Sequence, residues 1–352
     1  MLAILGGALP AACMDRGGEQ RTAAGVVRAA RQEGELTVYA NTSMAAPIAE
    51  GFRARFPEIA VRFLDNNSNE IHGKILAEAS GAKPIGGLVW SSSMDNQIKL
   101  INDGYAATYR SPERDRLPAW ALWRDQGFGL AAEPNGFAYN RRLLAANAAP
   151  ASHAALLAQI RADPKTWMHR IALYDPRDSG VAFLHLSADV QIYPDAWALM
   201  DAVGGTEPLL DVSGQRILDS VASGERLLAF NMNLSYAEWY AAERNDDIGL
   251  VTPSDYSLLI SRVAFIPKTA PHPNAARVFL DYLISAAGQA GLKAGHVPPA
   301  TARGAGSSPT IRPIRVGPAL LANLDQVRRA HLLTRWAIAM RGRPAPLSVA
   351  ER

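Results

Sequence analysis

The fold of this chain is decided near its start, at Glu35-Leu-Thr-Val-Tyr-Ala40, whose apolar, β-branched and aromatic residues are typical of a strand. Apolar residues at helical spacing follow over 46–56. The same change of period recurs twice, with strands predicted over 56–64 and 86–90 and helices over 70–79 and 93–103. This β-α-β-α-β-α order predicts a mostly parallel sheet with helices on both faces. In such sheets, ligands bind at the carboxyl ends of the strands.

A second unit begins at Ile171-Ala-Leu-Tyr174 and repeats the alternation of strands and helices. Two apolar stretches, 128–139 and 257–266, are typical of strands that cross between two units. A chain that leaves the first unit, builds the second and then returns forms a hinge with a cleft. The expected lobes are residues 34–132 plus 260–335 for lobe one and residues 133–259 for lobe two.

The composition fits a folded protein of two lobes. The chain has 352 residues, of which 48% are hydrophobic and 20% charged, so there is apolar material for two cores. Its 36 basic and 33 acidic residues nearly balance at a net charge of +3, and no nucleic-acid face is expected. The local excess of arginine over 328–343 predicts a solvated helix face.

The first residues predict export. An apolar run over 2–13 ends in the single cysteine, Cys13, and is shorter than the roughly 20 residues that span a bilayer. The run matches the apolar core of a secretory signal, although no basic residues precede it. We expect a leader over 1–25 and a periplasmic protein. Ordinary signal cleavage and lipid attachment at Cys13 both stay open.

The sequence lacks the motifs of common enzymes. It has no G-x-S-x-G elbow, no P-loop, no G-x-G-x-x-G after a strand and no H-E-x-x-H pair. Its seven histidines are scattered without the spacing of metal ligands. Asp175-Pro-Arg-Asp178 indicates an acidic turn that caps a helix, not an acid/base pair. We therefore expect neither catalysis nor a cofactor.

One segment after the second crossing has the sequence His272-Pro-Asn-Ala-Ala-Arg-Val-Phe-Leu-Asp-Tyr-Leu-Ile-Ser-Ala-Ala-Gly-Gln289. It resembles the helix after the second hinge strand of ABC-type extracellular solute-binding proteins. Segments 52–61, 104–105 and 133–140 are similar to other parts of that family, in the same order. The resemblance implies an α/β type II periplasmic-binding-protein fold, in which each of two lobes has a mixed, mostly parallel sheet with flanking helices and two hinge strands connect them. The branch it resembles holds binders of ferric ion, phosphoglycerate and sugar phosphates.

Within that branch the resemblance separates two kinds of ligand. Ferric binders hold the metal with a histidine after the first strand, a glutamate after the third and two adjacent tyrosines in the second lobe. Those positions fall here at Ser43, at Ser92 and near Asn233-Leu234, and Tyr236 is the only tyrosine close by. Serine and asparagine are poor ligands for a hard trivalent cation. No metal ligands are expected, and ferric ion is kept as the alternative.

The residues at these positions are neutral hydrogen-bonding groups beside predicted helix starts, where unpaired N–H groups favour an anion. In the family, the turn at Ser179-Gly180 binds an anion through backbone amides, and Arg177 would add a charged contact. The expected ligand-binding residues are Thr42, Ser43, Asn69, Ser91, Ser92, Arg177, Ser179, Gly180, Val181, Ser213, Asn231, Asn233 and Tyr236.

Plainer structural roles stay open for these residues, because serines before helices are commonly N-caps and Arg177 has acidic neighbours for an ion pair. Glu70, Glu133 and Asn135 are weaker candidates. The expected ligand is a small anion such as phosphoglycerate, a sugar phosphate or a phosphonate. The expected partners are the ABC permease subunits, with a membrane sensor kinase as the alternative that the sequence does not separate. We expect a monomer that closes about its hinge.

Overall fold

The computed structural model describes residues 23–41, 45–244, 247–302 and 305–340. Its strands form two sheets with helices on their faces. The strands are β1 (Glu35–Ala40), β2 (Ala60–Asp65), β3 (Leu88–Ser91), β4 (Leu122–Trp123), β5 (Gly127–Gly129), β6 (Glu133–Asn140), β7 (Ile171–Tyr174), β8 (Leu209–Asp211), β9 (Leu228–Asn233), β10 (Ile248–Val251), β11 (Ser257–Ile260), β12 (Val263–Phe265) and β13 (Ile311–Pro313).

The helices flank both sheets. The α-helices are α1 (Ala23–Glu33), α2 (Ala46–Arg55), α3 (Ser68–Ala79), α4 (Met94–Asn102), α5 (His153–Ala162), α6 (Pro164–Trp167), α7 (Gly180–Ile192), α8 (Ala196–Gly205), α9 (Gly214–Ala222), α10 (Leu234–Glu243), α11 (Pro273–Ile284), α12 (Ala286–Ala294) and α13 (Gln326–Ala339). Short 3-10 turns cover Arg114–Arg116, Ala119–Ala121 and Pro318–Leu324. None of the helices in the described ranges is both long and apolar enough to cross a membrane.

Each sheet is mixed, with a parallel part that ends at the space between the lobes. The first has the order β2-β1-β3-β12-β5-β4, in which β1 is parallel to both β2 and β3. The second has the order β13-β11-β6-β9-β7-β8, with β7 parallel to β8 and β9, and β10 pairs with β6. This architecture confirms the predicted α/β fold class. It also places several strand ends and helix starts at the same opening.

The chain crosses between the sheets at the two predicted stretches. From β5 in the first sheet it runs into β6 in the second, and from β11 in the second it runs back into β12 in the first. Hydrogen bonds join the crossings side by side: Leu130 N donates to the Arg262 carbonyl at 3.0 Å, and Ala131 N donates to Ser261 Oγ at 3.3 Å. Two adjacent, hydrogen-bonded crossings form a hinge.

The last helix packs on the second lobe, whereas lobe one was expected to run to 335. The solvated face expected for 328–343 is present, since Arg328, His331 and Thr334 are exposed. Trp336 is 1% exposed and lies in the core of the second lobe beside Leu199 and Met200. Close packing requires Gly204 of α8, because a Cβ there would lie 2.0 Å from the Ala339 carbonyl oxygen. The arginines of α13 drew attention to its solvated side, so the sequence pattern did not show that Trp336 and Ala339 are buried.

Candidate ligand-binding cleft

A cavity of about 660 Å³ opens between the two sheets. Both lobes and the second crossing contribute to its wall. The lining residues are Asn41, Asp65, Asn66, Asn67, Ser68, Asn69, Glu70, Ser92, Tyr174, Asp178, Ser179, Gly180, Val181, His185, Val212, Gly214, Asn233, Tyr236, Ile260 and Arg262. The wall is therefore mostly hydroxyl, amide and backbone, with acidic side chains at Asp65, Glu70 and Asp178.

The wall from lobe one is built on the adjacent ends of β1 and β3. Asn41 forms two hydrogen bonds with Ser92: its Nδ2 donates to Ser92 Oγ at 2.8 Å, and its Oδ1 accepts from Ser92 N at 3.1 Å. The same Nδ2 reaches Ser68 Oγ at 3.2 Å. Parallel neighbouring strands bring these side chains together because their carboxyl ends meet at one edge. Thr42 and Ser43, which were expected to contribute here, lie outside the described residues.

The start of α3 forms the rim of this wall. Asn67 Oδ1 accepts hydrogen bonds from Asn69 N at 3.1 Å and Glu70 N at 3.0 Å, while Glu70 Oε2 accepts from Asn67 N at 3.1 Å. This reciprocal capping box fixes the first turn of the helix. Asn69 and Glu70 are thereby held at the cavity, and with the exposed carboxylate of Asp65 they can accept hydrogen bonds from ligand hydroxyls.

In lobe two, three helices begin at the cavity, each with a side-chain cap. Ser179 Oγ accepts from Ala182 N at 3.3 Å, Ser213 Oγ accepts from Arg216 N at 3.3 Å, and Asn233 Oδ1 accepts from Tyr236 N at 3.1 Å. The capping role is thus real at all three positions. The cap satisfies one N–H group at each helix start, and the other N–H groups of the first turn still lack intrahelical partners. Because Gly180, Val181 and Gly214 line the cavity, the helix starts give it a positive backbone potential.

Tyr174 and Tyr236 close the second lobe's wall around the start of α9. A Cβ on Gly214 would lie 2.3 Å from Tyr174 Oη and 3.1 Å from Tyr236 Cε1, so only glycine leaves room for both rings. Burial raises the pKa of both tyrosines above the ordinary value, and each ring remains a neutral phenol. A neutral phenol is a hydrogen-bonding group for a polar ligand.

Arg262 brings a cationic side chain to the cavity from the second crossing. It is 5% exposed, and its Nη1 donates to the Asn41 carbonyl at 3.0 Å. Its Nη2 donates to Oε1 of Glu133, which is 0% exposed, at 3.2 Å. Glu133 begins β6, so the ion pair joins the two crossings directly behind the cleft. Among the described lining residues, Arg262 is the one lysine or arginine.

Seven of the expected residues line this cavity and four others lie elsewhere. Those that line it are Asn69, Ser92, Ser179, Gly180, Val181, Asn233 and Tyr236.

The four residues that do not line the cavity have other contacts. Ser91 is buried and accepts from Ser93 N at 3.2 Å, and Ser213 lies beside the lining Gly214. Arg177 binds both carboxylate oxygens of Asp175, which raises the pKa of Arg177, and stacks 5.2 Å over the Trp336 ring. Asn231 has a left-handed backbone with φ 56° and bonds into the interior of the lobe.

Among the lining residues that sequence reasoning missed, four bring polar groups from strands, a helix and a crossing: Asn41, Tyr174, His185 and Arg262. His185 is 2% exposed on α7, and burial lowers its pKa to about 3, so it is neutral at physiological pH. Only Arg262 carried a usable signal, since an arginine within an apolar crossing strand requires a buried partner or a ligand. The other three depend on which strand ends and helix faces meet, and a periodic pattern does not contain that information.

The described part of the chain shows no metal centre of the usual kind. No group of three or more His, Cys, Asp or Glu side chains there has an arrangement that holds a metal ion. At the positions that ferric binders use, Ser92 is held by Asn41 and Asn233 caps α10. The cleft therefore offers hydrogen bonds, backbone dipoles, one guanidinium and three carboxylates, which together suit a polar organic ligand.

Comparisons with known proteins agree with this geometry. Residues 48–309 match the family model described as "Bacterial extracellular solute-binding protein". The crystal structure of a substrate-binding protein of an ABC transporter from Agrobacterium tumefaciens is 33% identical, with a TM-score of 0.81 over 87% of this chain and 94% of that one. No curated protein matches the sequence.

More distant structures share the fold. The periplasmic binding protein AfuA from Actinobacillus pleuropneumoniae, with bound fructose-6-phosphate, is 20% identical with a TM-score of 0.68 over 88% of this chain and 99% of that one. Iron-bound HitA from Pseudomonas aeruginosa is 18% identical with a TM-score of 0.63 over 87% and 99%.

The two-sheet fold, the hinge and the cleft define a clamp that binds solutes. The chain belongs to the family of bacterial extracellular solute-binding proteins. It is the substrate-binding component of an ABC transporter, acts outside the cytoplasm and is not an enzyme.

Proposed function

We propose that this protein captures a small phosphorylated metabolite that also carries hydroxyl groups. The observation that carries the proposal is the buried Arg262, which lines the same cavity as the N-terminal turns of the second lobe's helices. A phosphate group fits that end of the cleft, since guanidinium and helix N–H groups are its usual partners in proteins. The fructose-6-phosphate in the distant relative AfuA is compatible with this ligand class.

The other end of the proposed ligand is neutral. Asp65, Asn69 and Glu70 at the rim can accept hydrogen bonds from ligand hydroxyls, and the carboxylates of Asp65 and Glu70 would repel a second anionic group placed there. This favours a sugar phosphate or a phosphorylated polyol over phosphoglycerate, whose second acidic group would face the rim. A simple phosphonate would leave the rim unused.

The proposed mechanism is closure about the two crossings. In the open form, the anion is bound by Ser92 and Arg262, and closure brings Ser179, Gly180 and Asn233 of lobe two against it. A ligand that contacts both lobes favours the closed form by its differential affinity, and the permease subunits recognise that form. Thr42 and Ser43 stay predicted contacts from lobe one.

Export through the leader 1–25, with or without lipid at Cys13, is part of the proposal and is tested by mass spectrometry of the mature protein.

The test is a thermal-shift screen of the purified protein, followed by calorimetry on each hit. Fructose 6-phosphate, glycerol 3-phosphate, 3-phosphoglycerate, a phosphonate, citrate and ferric citrate are the compounds. A ligand at 100 times its dissociation constant stabilises the folded state by about 2.7 kcal/mol, which shifts the unfolding temperature visibly. We expect shifts with the hydroxylated phosphates and a loss of most of that binding in Arg262→Gln. A shift with ferric citrate and not with citrate would instead establish the iron alternative.

A further inference from the structure

We propose that Glu133, which lies behind the cleft and not in its wall, is a positioning residue that sets the charge Arg262 presents to the ligand. The inference rests on the proposed function, because it takes Arg262 as the contact for the ligand's anionic group. It assigns to the hinge a role in choosing ligands by their charge, in addition to allowing the lobes to move.

The geometry ties Arg262 to Glu133 more than to any other acid in the described residues. Nη2 of Arg262 donates to Oε1 of Glu133 at 3.2 Å, and Nε lies 3.1 Å from Oε2. The side chains are 6% and 0% exposed, so water screens the pair little. With Glu133 in place, the buried pair is neutral overall, and an arriving anion meets a dipole in place of a full positive charge.

The pair also leaves the guanidinium with unused hydrogen-bonding capacity. Although Nε and Oε2 are close, they are not aligned as a hydrogen bond, and both atoms are buried without a hydrogen-bond partner in the described residues. The guanidinium has five N–H donors, and the hydrogen bonds found there are one to Glu133 and one to the Asn41 carbonyl. Arg262 is therefore held in place by two contacts while donors remain for a ligand in the cavity that it lines.

The charge of the pair decides how strongly the cleft separates ligands of one and two negative charges. A neutral pair discriminates weakly between them, because an added ligand charge is attracted by Arg262 and repelled by Glu133. Glu133→Gln keeps an acceptor for Nη2 and removes the repulsion, so a dianion gains more than a monoanion. Arg262→Gln leaves the negative charge of Glu133 alone and reverses the preference.

The probes are fructose 6-phosphate and fructose 6-sulfate, which have similar shapes but differ by about one charge at pH 8, where the phosphate is a dianion. Calorimetry gives the ratio of their dissociation constants, and the ratio moves only if the local charge changes. We expect the preference for the phosphate to rise roughly fivefold in Glu133→Gln and to fall by a similar factor in Arg262→Gln. The double variant, with both charges removed, returns to the native ratio. Glu113→Gln, which removes a carboxylate from the surface ion pair with Arg116, leaves the ratio unchanged.

Equal ratios in the native protein and both single variants would overturn the inference while leaving the phosphate site standing. A purely structural role for Glu133 predicts that both esters weaken by the same factor in Glu133→Gln, which also overturns it. If neither ester binds the native protein, the proposed phosphate site itself fails. If Glu133→Gln does not fold, the comparison of Arg262→Gln with the double variant decides, since only the charge account predicts that removing Glu133 restores the ratio.

Discussion

Asn231 Nδ2 donates a hydrogen bond of 2.6 Å to Asp189 Oδ2, and this bond fastens β9 to the helix α7 that begins at the cleft. The strand turns left-handed at Asn231, with φ 56°, a conformation that asparagine tolerates better than most residues. One turn earlier on α7 lies His185, whose pKa is lowered by burial although the nearby backbone of Asn231 acts in the opposite direction. Asp189 is thus the side chain of α7 that holds this strand position beneath the cavity.

Asp189 makes the stability of lobe two depend on pH. Burial raises its pKa to about 6, although Tyr256 and Asn231 donate hydrogen bonds to it. The folded state then binds a proton more readily than the unfolded state, so the contribution of Asp189 to stability falls as pH rises from about 4 to about 6, by up to about 3 kcal/mol. Asp189→Asn removes this fall, which urea unfolding at a series of pH values measures. If the free energy of unfolding changed with pH at the same slope in the native protein and in Asp189→Asn, Asp189 would not be the group responsible.

His185 acts in the opposite direction over nearly the same range. Burial lowers its pKa to about 3, so the unfolded chain binds the proton more readily and stability is lost as pH falls below about 6.5. The loss reaches up to about 3 kcal/mol by pH 4. In His185→Gln, which removes the titrating ring and keeps a polar side chain, stability should decline less on acidification. The two effects oppose each other in the native protein between pH 4 and 6. In that range the free energy of unfolding should rise more steeply with pH in Asp189→Asn than in the native protein, and it should fall with rising pH in His185→Gln.

The cap of α7 should matter for both folding and binding. Ser179→Ala removes the acceptor for Ala182 N and costs about 1 kcal/mol of stability. Because the first turn of α7 faces the cavity, affinity for fructose 6-phosphate should weaken roughly fivefold. Ser152→Ala is the matched control, since Ser152 caps α5 away from the cleft by accepting from Ala155 N at 2.9 Å. It should lose similar stability and no affinity, and equal affinity losses in both variants would refute the role of α7.

Gly214 should be needed for the shape of the cleft. In Gly214→Ala the new methyl group meets Tyr174 Oη and forces the ring into the cavity, so binding of fructose 6-phosphate should fall roughly tenfold or more. The double variant Gly214→Ala with Tyr174→Phe removes the oxygen that clashes at 2.3 Å and should recover part of the affinity. Calorimetry on the three proteins checks this. No recovery would show that the methyl group acts through the helix start and not through the ring.

The sequence predicted the helix starts at the cleft better than it predicted the charges there. Ser179, Asn233 and Ser92 were found because a small polar residue after a strand and before a helix leaves a local signature. Arg177 shows the limit of such reasoning, since its acidic neighbour Asp175 and the ring of Trp336, distant in sequence, both hold it. The cation that faces the cavity is instead Arg262, which lies 85 residues further along the chain and is placed by its pairing with Glu133.

By itself, the sequence determined the alternation of strands and helices, the two crossings, the caps and the family, because each depends on residues close together along the chain or on an ordered set of local segments. Only the tertiary structure decided which of these polar residues share one cavity, that α13 packs on the second lobe, and that Glu133 lies behind Arg262. Those relationships join residues far apart in sequence. Their energies come from burial and from charge at short range, which exist only once the two sheets and their crossings have brought the groups together.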